Sequence, residues 1–355
     1  MQILESLISS ISPLDESFME AARARQGLLT KPQGSLGRLE ELSIQIAGIR
    51  RQITPRLEKK AVLVMAGDHG VVQEGVSAYP QAVTGQMVAN FLNGGAAINV
   101  LARHSGARVI IVDMGVAENL EPHPGLLIQK IAPGTANIAK GAAMSRQQAV
   151  AALLAGAKIV QDEIERGLDI LATGDMGIGN TTPSAAIAAV YTKRPVHEIT
   201  GRGTGVDDAG LERKVAAIER ALEINKPDPQ DGLDVLSKVG GFEIGGLAGA
   251  ILAAAAHRRP VVIDGYISTA AAMIAASLAP QVRGYLIAAH TSQELGHHLM
   301  MEWLGTAPLL DLQLRLGEGS GAALAMSLVE ASCKILSEMA TFAEAGVSEK
   351  QEINS

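Results

Sequence analysis

Residues 61–70 read Ala61-Val62-Leu63-Val64-Met65-Ala66-Gly67-Asp68-His69-Gly70, an unbroken apolar run that stops at once in a polar, glycine-bearing turn. An uninterrupted run of that length suits a strand buried on both faces. The same punctuation recurs along the chain. Val109 to Val112 leads into Asp113-Met114-Gly115, Ile170 to Ala172 into Gly174-Asp175-Met176-Gly177, Val261 to Ile263 into Asp264-Gly265, and Tyr285 to Ala288 into His290-Thr291. A sixth candidate strand, Leu309 to Leu314, runs into Gly317-Glu318-Gly319-Ser320-Gly321. Helical patterns lie between the runs, as in Leu211, Val215, Ile218 and Leu222 at spacings of four, three and four. Strand alternating with helix predicts an α/β fold with a doubly wound, mainly parallel sheet. In open sheets of this kind ligands bind in the crevice beyond the strand C-termini. Asp68, Asp113, Asp175 and Asp264 are therefore expected around one cleft, with Glu318 joining them.

Both chain ends read as helical. Leu36, Leu39, Leu42, Ile46 and Ile49 form a stripe behind Ser35, the expected N-cap. Leu324, Leu328, Ala331 and Ile335 form a second stripe near the C-terminus. The resulting division is a large α/β domain over 57–320 and a small helical subdomain built from 1–56 with 321–355.

At 355 residues the chain can bury a substantial core. Its net charge of −7 is interspersed, with no basic stripe, which argues against a nucleic-acid partner. Cys333 is the lone cysteine, so neither an internal disulfide nor a multi-cysteine metal site is available. Met1 to Ser17 has no basic n-region and is interrupted by Glu5, Asp15 and Glu16, unlike a signal peptide. The apolar stretches Leu247 to Ala256 and Thr269 to Ala279 are too short to span a bilayer. A cytoplasmic protein with no membrane partner is expected. Scarce aromatics and abundant Ala and Gly suit helices packed closely on a sheet.

The most specific segment is Gly174-Asp175-Met176-Gly177-Ile178-Gly179-Asn180-Thr181-Thr182-Pro183, between a strand and a helix. Thr182 is placed to N-cap that helix, with Pro183 first inside it. Gly177, Ile178, Gly179, Asn180 and Thr181 offer bare backbone N–H groups at a helix N-terminus, a nest suited to a phosphate. The plain alternative is a tight turn that needs glycine for positive φ. Neither a Walker loop nor a dinucleotide fingerprint is present.

A second cluster, Gly201-Arg202-Gly203-Thr204-Gly205, precedes the helix carrying Lys214. A lysine among Leu211 and Ile218 ordinarily snorkels to solvent. The neighbouring nest makes Gly203 and Lys214 candidate phosphate ligands. Glu318, flanked by Gly317 and Gly319, is open to close approach of a substrate and is the candidate catalytic carboxylate, with Ser320 set to cap the next helix. His69, His290, His297 and His298 have no metal-ligand spacing, so hydrogen-bonded structural roles and no metal are expected.

Taken together, these segments resemble the CobT family, the nicotinate-nucleotide:dimethylbenzimidazole phosphoribosyltransferases of cobalamin nucleotide-loop assembly. The likeness runs through Lys31 to Glu40, Ala66 to Gly70, Gly75 to Pro80, Gly177 to Thr182, Gly201 to Gly205, Asp264 to Thr269 and Gly317 to Gly321. It implies a Rossmann-like domain with a small helical domain, a homodimer, and transfer of phosphoribose from nicotinate mononucleotide to 5,6-dimethylbenzimidazole. Nicotinate mononucleotide is then a substrate, and no cofactor is needed. The resemblance makes Glu318 the general base and, by family position, places Tyr79, Gln86 and Met87 at the acceptor base. Asp175 stands where the family usually carries glutamate, one methylene shorter.

The leaving pyridinium of nicotinate mononucleotide is already cationic, so its C1′–N bond breaks without an acid. The incoming azole becomes cationic as it attacks and has to lose its N–H proton to one carboxylate, Glu318. Asp175 is the candidate anion facing charge that builds on the ribose. For Glu318 a helix N-terminus would lower the pKa and burial would raise it, a balance the sequence leaves open. The competing readings are a transferase using another azole or a phenol, and a nucleotide sensor without turnover.

Overall fold

The computed structural model describes residues 1–348. Six strands form one sheet: β1 (Lys60–Gly67), β2 (Ala107–Gly115), β3 (Leu126–Ile128), β4 (Ile170–Met176), β5 (Val261–Ile263) and β6 (Leu286–Ala288). Their order is β3-β2-β1-β4-β5-β6, and every pair is parallel. The chain winds outward from β1 to β3, then returns to lay β4 on the other side of β1. The order reverses between β1 and β4, which is where open α/β sheets of this order take their ligands.

β1 explains why the layers form. All eight of its residues are buried. Ala61, Leu63 and Met65 face a core shared with the helices Arg146–Glu165, Phe242–Ala256 and Tyr266–Leu278. Val62, Val64 and Ala66 face a second core with Leu42 and Ile46 of the helix Arg38–Arg50, Val88 and Phe91 of Val83–Leu92, and Ala322 to Val329 of Ser320–Glu338. Side chains alternate across the strand, so one apolar run serves both layers. Small residues tighten the first layer. A Cβ on Gly249 would overlap the carbonyl of Leu153, and one on Gly156 would overlap that of Gly246.

The chain ends meet. Ala22, Ala47 and Leu336 share a small cluster, and Leu29 bridges antiparallel to Thr341. Arg25 Nε donates to Leu336 O at 2.6 Å. Residues 349–355, the end of the segment assigned to the small subdomain, lie outside the described residues. Among the described residues no helix is long and apolar enough to cross a membrane.

The fold departs from the sequence expectations at several places. The run Leu309 to Leu314 is not a strand: it follows the segment after β6 with a single bridge, Leu310 to His290, and the left-handed Gln313, φ 56°, interrupts the regular pairing before Gln293 N reaches Leu314 O at 3.1 Å. The sixth strand is instead β3, whose Leu127 and Ile128 are exposed at the sheet edge, too short a run to announce itself. Tyr285 closes a 3-10 turn before β6 rather than opening the strand. Ser35 does not cap its helix, which starts at Arg38 after Gly37, while Glu40 Oε1 accepts from Leu36 N. Thr182 is the second helical residue, not the cap, and its buried Oγ1 has no partner among the described residues. Ser320 is likewise already helical and turns its hydroxyl back to Gly317 O, 2.8 Å.

Candidate active site

A cleft of about 480 Å³ opens at the C-terminal edge of the sheet, beside the β1/β4 switch point. One wall is the turn from β4 into the helix Thr181–Thr192. Gly177 packs so tightly against the end of β1 that a Cβ there would overlap the carbonyl of Gly67, and Gly179 takes φ 88°. Two bonds close the turn, Asn180 N to Gly177 O at 3.1 Å and Thr182 N to Gly179 O at 3.0 Å. The amide of Ile178 is taken by Thr84 Oγ1, 3.1 Å away. The amides of Gly179 and Thr181 meet no acceptor among the described residues, so a smaller nest than the full run remains, at the positive end of a twelve-residue helix.

Lys214 lies under this wall. It does not snorkel: only 1% of it is exposed, and Nζ donates to Thr181 Oγ1 (2.8 Å) and Gly201 O (3.0 Å). Burial brings its pKa down to about 8, against the opposing charge of Glu294. Gly203 makes room for it, since a Cβ there would lie 3.0 Å from Nζ and 2.7 Å from Thr181 Oγ1.

The opposite wall carries the carboxylates. Gly317, Glu318 and Gly319 have φ of 84°, 63° and 91°, a left-handed run before the helix Ser320–Glu338. Left-handed geometry costs a non-glycine residue about 1–2 kcal/mol, and such strain persists where its surroundings enforce it. Here the enforcement is visible. A Cβ on Gly174 of β4 would overlap Glu318 O, and Asp264 clamps the next turn, its Oδ2 accepting from Gly319 N (3.1 Å) and Oδ1 from Ala322 N (2.9 Å).

Glu318 itself is buried, with Oε2 accepting from Ile98 N at 3.2 Å, the start of the helix Ala97–Ser105. No donor reaches its Oε1 among the described residues. Burial raises its pKa, outweighing the Ile98 N–H, and the charge of Asp264 adds to the rise. Asp175 is 6% exposed and faces Gly317, whose Cβ position lies 3.4 Å from both carboxylate oxygens. Burial, then the charge of Asp264, pushes Asp175 up to about 8, although Asn180 Nδ2 donates to its Oδ2 at 2.9 Å.

Tyr79, Asp175, Gly177, Ile178, Asn180, Thr181 and Gly203 line the cleft, while Gly179, Lys214 and Glu318 stand behind its surface. Gln86 and Met87 do not line it: they sit on the helix Val83–Leu92, Gln86 exposed and Met87 half-buried. Of the four rim aspartates only Asp175 reaches the cleft. Asp68 is held by Thr84 Oγ1 and Ala117 N, Asp113 by Val116 N and Lys130, and Asp264 by its helix clamp. These three order the strand-end loops instead.

His69 is engaged, its Nε2 lying 2.8 Å from Glu243 Oε1, whereas His290 lines the cleft with Nδ1 on Thr291 O at 3.0 Å and its buried Nε2, 3.6 Å from Asp264 Oδ1, without a hydrogen-bond partner among the described residues. His297 accepts from Ser292 N on Nδ1, so its Nε2 carries the proton toward Thr269 Oγ1, and burial brings its pKa down to about 3. The cleft also takes Tyr266, which lies in the resemblance stretch Asp264 to Thr269 without a role of its own there, and Ser292, Glu294 and Leu316, which do not stand out in the sequence. Tyr266, Ser292 and Glu294 lie in the segments following β5 and β6. Reading those rim loops a few residues further would have reached them.

An amide nest at the switch point, a lysine beneath it and a pair of raised carboxylates opposite are the parts that transfer of a phosphorylated sugar calls for. A family model described as phosphoribosyltransferase matches residues 11–347, and the chain belongs to that family, within its nicotinate-nucleotide–dimethylbenzimidazole (CobT) group. A nicotinate-nucleotide–dimethylbenzimidazole phosphoribosyltransferase of Roseiflexus sp. strain RS-1 is 64% identical over 352 residues, spanning 99% of this chain and 100% of the relative. One from Geobacter sp. strain M21 is 55% identical over 98% of this chain and 99% of its own. The crystal structure of CobT from Thermus thermophilus superposes with a TM-score of 0.91 at 49% identity, covering 94% of this chain and 100% of that one.

Proposed function

We propose that the chain transfers the 5-phosphoribosyl group from nicotinate mononucleotide to 5,6-dimethylbenzimidazole, giving α-ribazole 5′-phosphate and nicotinate. The observation that carries the mechanism is Glu318, a buried carboxylate held through Oε2 by one backbone N–H, with Oε1 lacking a donor among the described residues. That leaves one oxygen to accept the N–H of a bound azole.

The phosphate rests at the turn after β4, on the amide of Thr181 at the cleft surface, with Lys214 supplying positive charge from beneath. Before substrate binds, Asp175, with a pKa of about 8, is mostly protonated at neutral pH. Arrival of the cationic pyridinium favours its ionised form, so the anion that faces the ribose appears together with the substrate. The C1′–N bond then breaks with its electron pair passing to the nicotinate ring. The unprotonated nitrogen of the benzimidazole bonds to C1′, and its other nitrogen gives its proton to Glu318. A raised pKa makes Glu318 a stronger base than an exposed glutamate, which suits a proton it receives rather than gives up.

Tyr79, on the cleft wall, is the aromatic residue suited to the acceptor ring, whereas Gln86 and Met87 stand outside the cleft on the helix Val83–Leu92. The reading takes the protein as a cytoplasmic homodimer without cofactor, supported by the CobT resemblance and the single buried cysteine. Incubation with nicotinate mononucleotide and a panel of aromatic bases, followed by chromatography, tests it. Nicotinate release that requires 5,6-dimethylbenzimidazole supports the reading. Binding without release leaves a sensor, and release driven by another azole or a phenol transfers the assignment to that acceptor.

A further inference from the structure

Glu294 is a cleft carboxylate to which the transfer chemistry gives no role. It borders the cleft in the loop after β6, and its Oε2 is buried with no hydrogen-bond partner among the described residues. An orphan buried acceptor costs about 1–3 kcal/mol, a cost that persists where a ligand satisfies the group. The backbone opposite is cut to fit it: a Cβ on Gly201 would overlap Glu294 Oε2. The glycines of Gly201-Arg202-Gly203 thus seat two opposite charges, Glu294 at the first and Lys214 at the second. The ammonium does not satisfy the carboxylate, because its hydrogen bonds go to Thr181 Oγ1 and Gly201 O.

What could satisfy it must be a donor. Nicotinate mononucleotide carries two anionic groups, and a carboxylate repels both. Apart from any proton its phosphate keeps, its hydrogen-bond donors are the 2′- and 3′-hydroxyls of the ribose. We propose that Glu294 is a ribose-binding residue, accepting one of these hydroxyls and so selecting ribose over deoxyribose. This rests on the phosphoribosyl-transfer reading above. With the nest holding the phosphate at one end and the loop of Glu318 at the other, the sugar spans the stretch that Glu294 borders.

The test is a substrate-deletion cycle read as binding. Dissociation constants of nicotinate mononucleotide and its 2′-deoxy and 3′-deoxy analogues are measured by calorimetry, without acceptor base, for the wild type, Glu294→Ala and Glu294→Gln. A hydrogen bond to a charged group corresponds to roughly 10–150-fold in affinity. The wild type is expected to lose about that factor on one deoxy analogue, and Glu294→Ala to lose it on the parent nucleotide but no more than about threefold further on that analogue. Glu294→Gln, which keeps a neutral acceptor, should fall between. Equal losses on all three ligands in both variants, the signature of an effect through Lys214 or the loop, would overturn the proposal, as would unchanged affinity for the parent. Base-dependent nicotinate release by the same wild-type sample tests the transfer reading separately, so either can fail alone.

Discussion

Replacing Asp175 with asparagine should stabilise the protein while slowing it, and the stabilisation should depend on pH. The native carboxyl titrates near 8, against 3.8 for an unperturbed aspartate. Between those values the unfolded chain has released a proton that the native one keeps, so folding stability falls as pH rises, by roughly 1.4 kcal/mol per pH unit. The loss begins above about pH 4 and is complete above about pH 8. Asparagine carries no such proton, and its side-chain oxygen can still accept from Asn180. The advantage of the variant should therefore widen by about 3 kcal/mol between about pH 5 and pH 7. For a chain of this length that corresponds to about 4 °C in melting temperature. Thermal unfolding followed by circular dichroism at a series of pH values from about 5 to 8 reads the difference directly. Asp68, Asp264 and Glu318, which burial also raises, are present in both proteins and largely cancel. A melting difference that stays flat with pH, or narrows as pH rises, would refute the burial argument for Asp175. Turnover should fall because the ribose loses its anion, as expected of sites where stability is given up for chemistry.

Lys214→Met, which keeps the stem and removes the buried ammonium, should weaken nicotinate mononucleotide binding by about 10-fold or more while sparing the fold, as calorimetry and a melting curve would show. Gly249→Ala should destabilise by more than about 2 kcal/mol in denaturant unfolding, since its methyl meets the Leu153 backbone rather than a movable side chain. Asp264→Asn keeps one acceptor for the turn at Gly319 but puts an amide N–H against the other, so it should lower turnover more than nucleotide affinity in a steady-state comparison.

The sheet was legible because its strands are continuous apolar runs ending in glycine turns, and β1 and β4 could be read to within a few residues at either end. Leu309 to Leu314 misled because it too ends in a glycine turn and its leucines alternate, but Gln313 takes a left-handed conformation that composition does not signal. Caps failed at Ser35, Thr182 and Ser320 because hydroxyl positions were read locally. The helix at Ser320 is capped from across the sheet by Asp264, a contact no spacing reveals. The same limit applies to the site. Asp175, Gly177 and Glu318 announced themselves by their glycine neighbours. The burial of Lys214, the occupation of the Ile178 amide by Thr84 and the orphan oxygen of Glu294 arise from loops brought together only by the tertiary fold.

The chemistry turns on Glu318 taking the proton from the attacking base. Single-turnover rates for the wild type and Glu318→Gln, with nicotinate mononucleotide and 5,6-dimethylbenzimidazole from about pH 4.5 to 8, test it. The glutamine variant should bind the nucleotide normally and react about 10²–10⁴-fold more slowly, with a shallower acid-side decline that keeps only the part owed to protonation of the benzimidazole itself. A glutamine variant that keeps the wild-type rate would contradict the account.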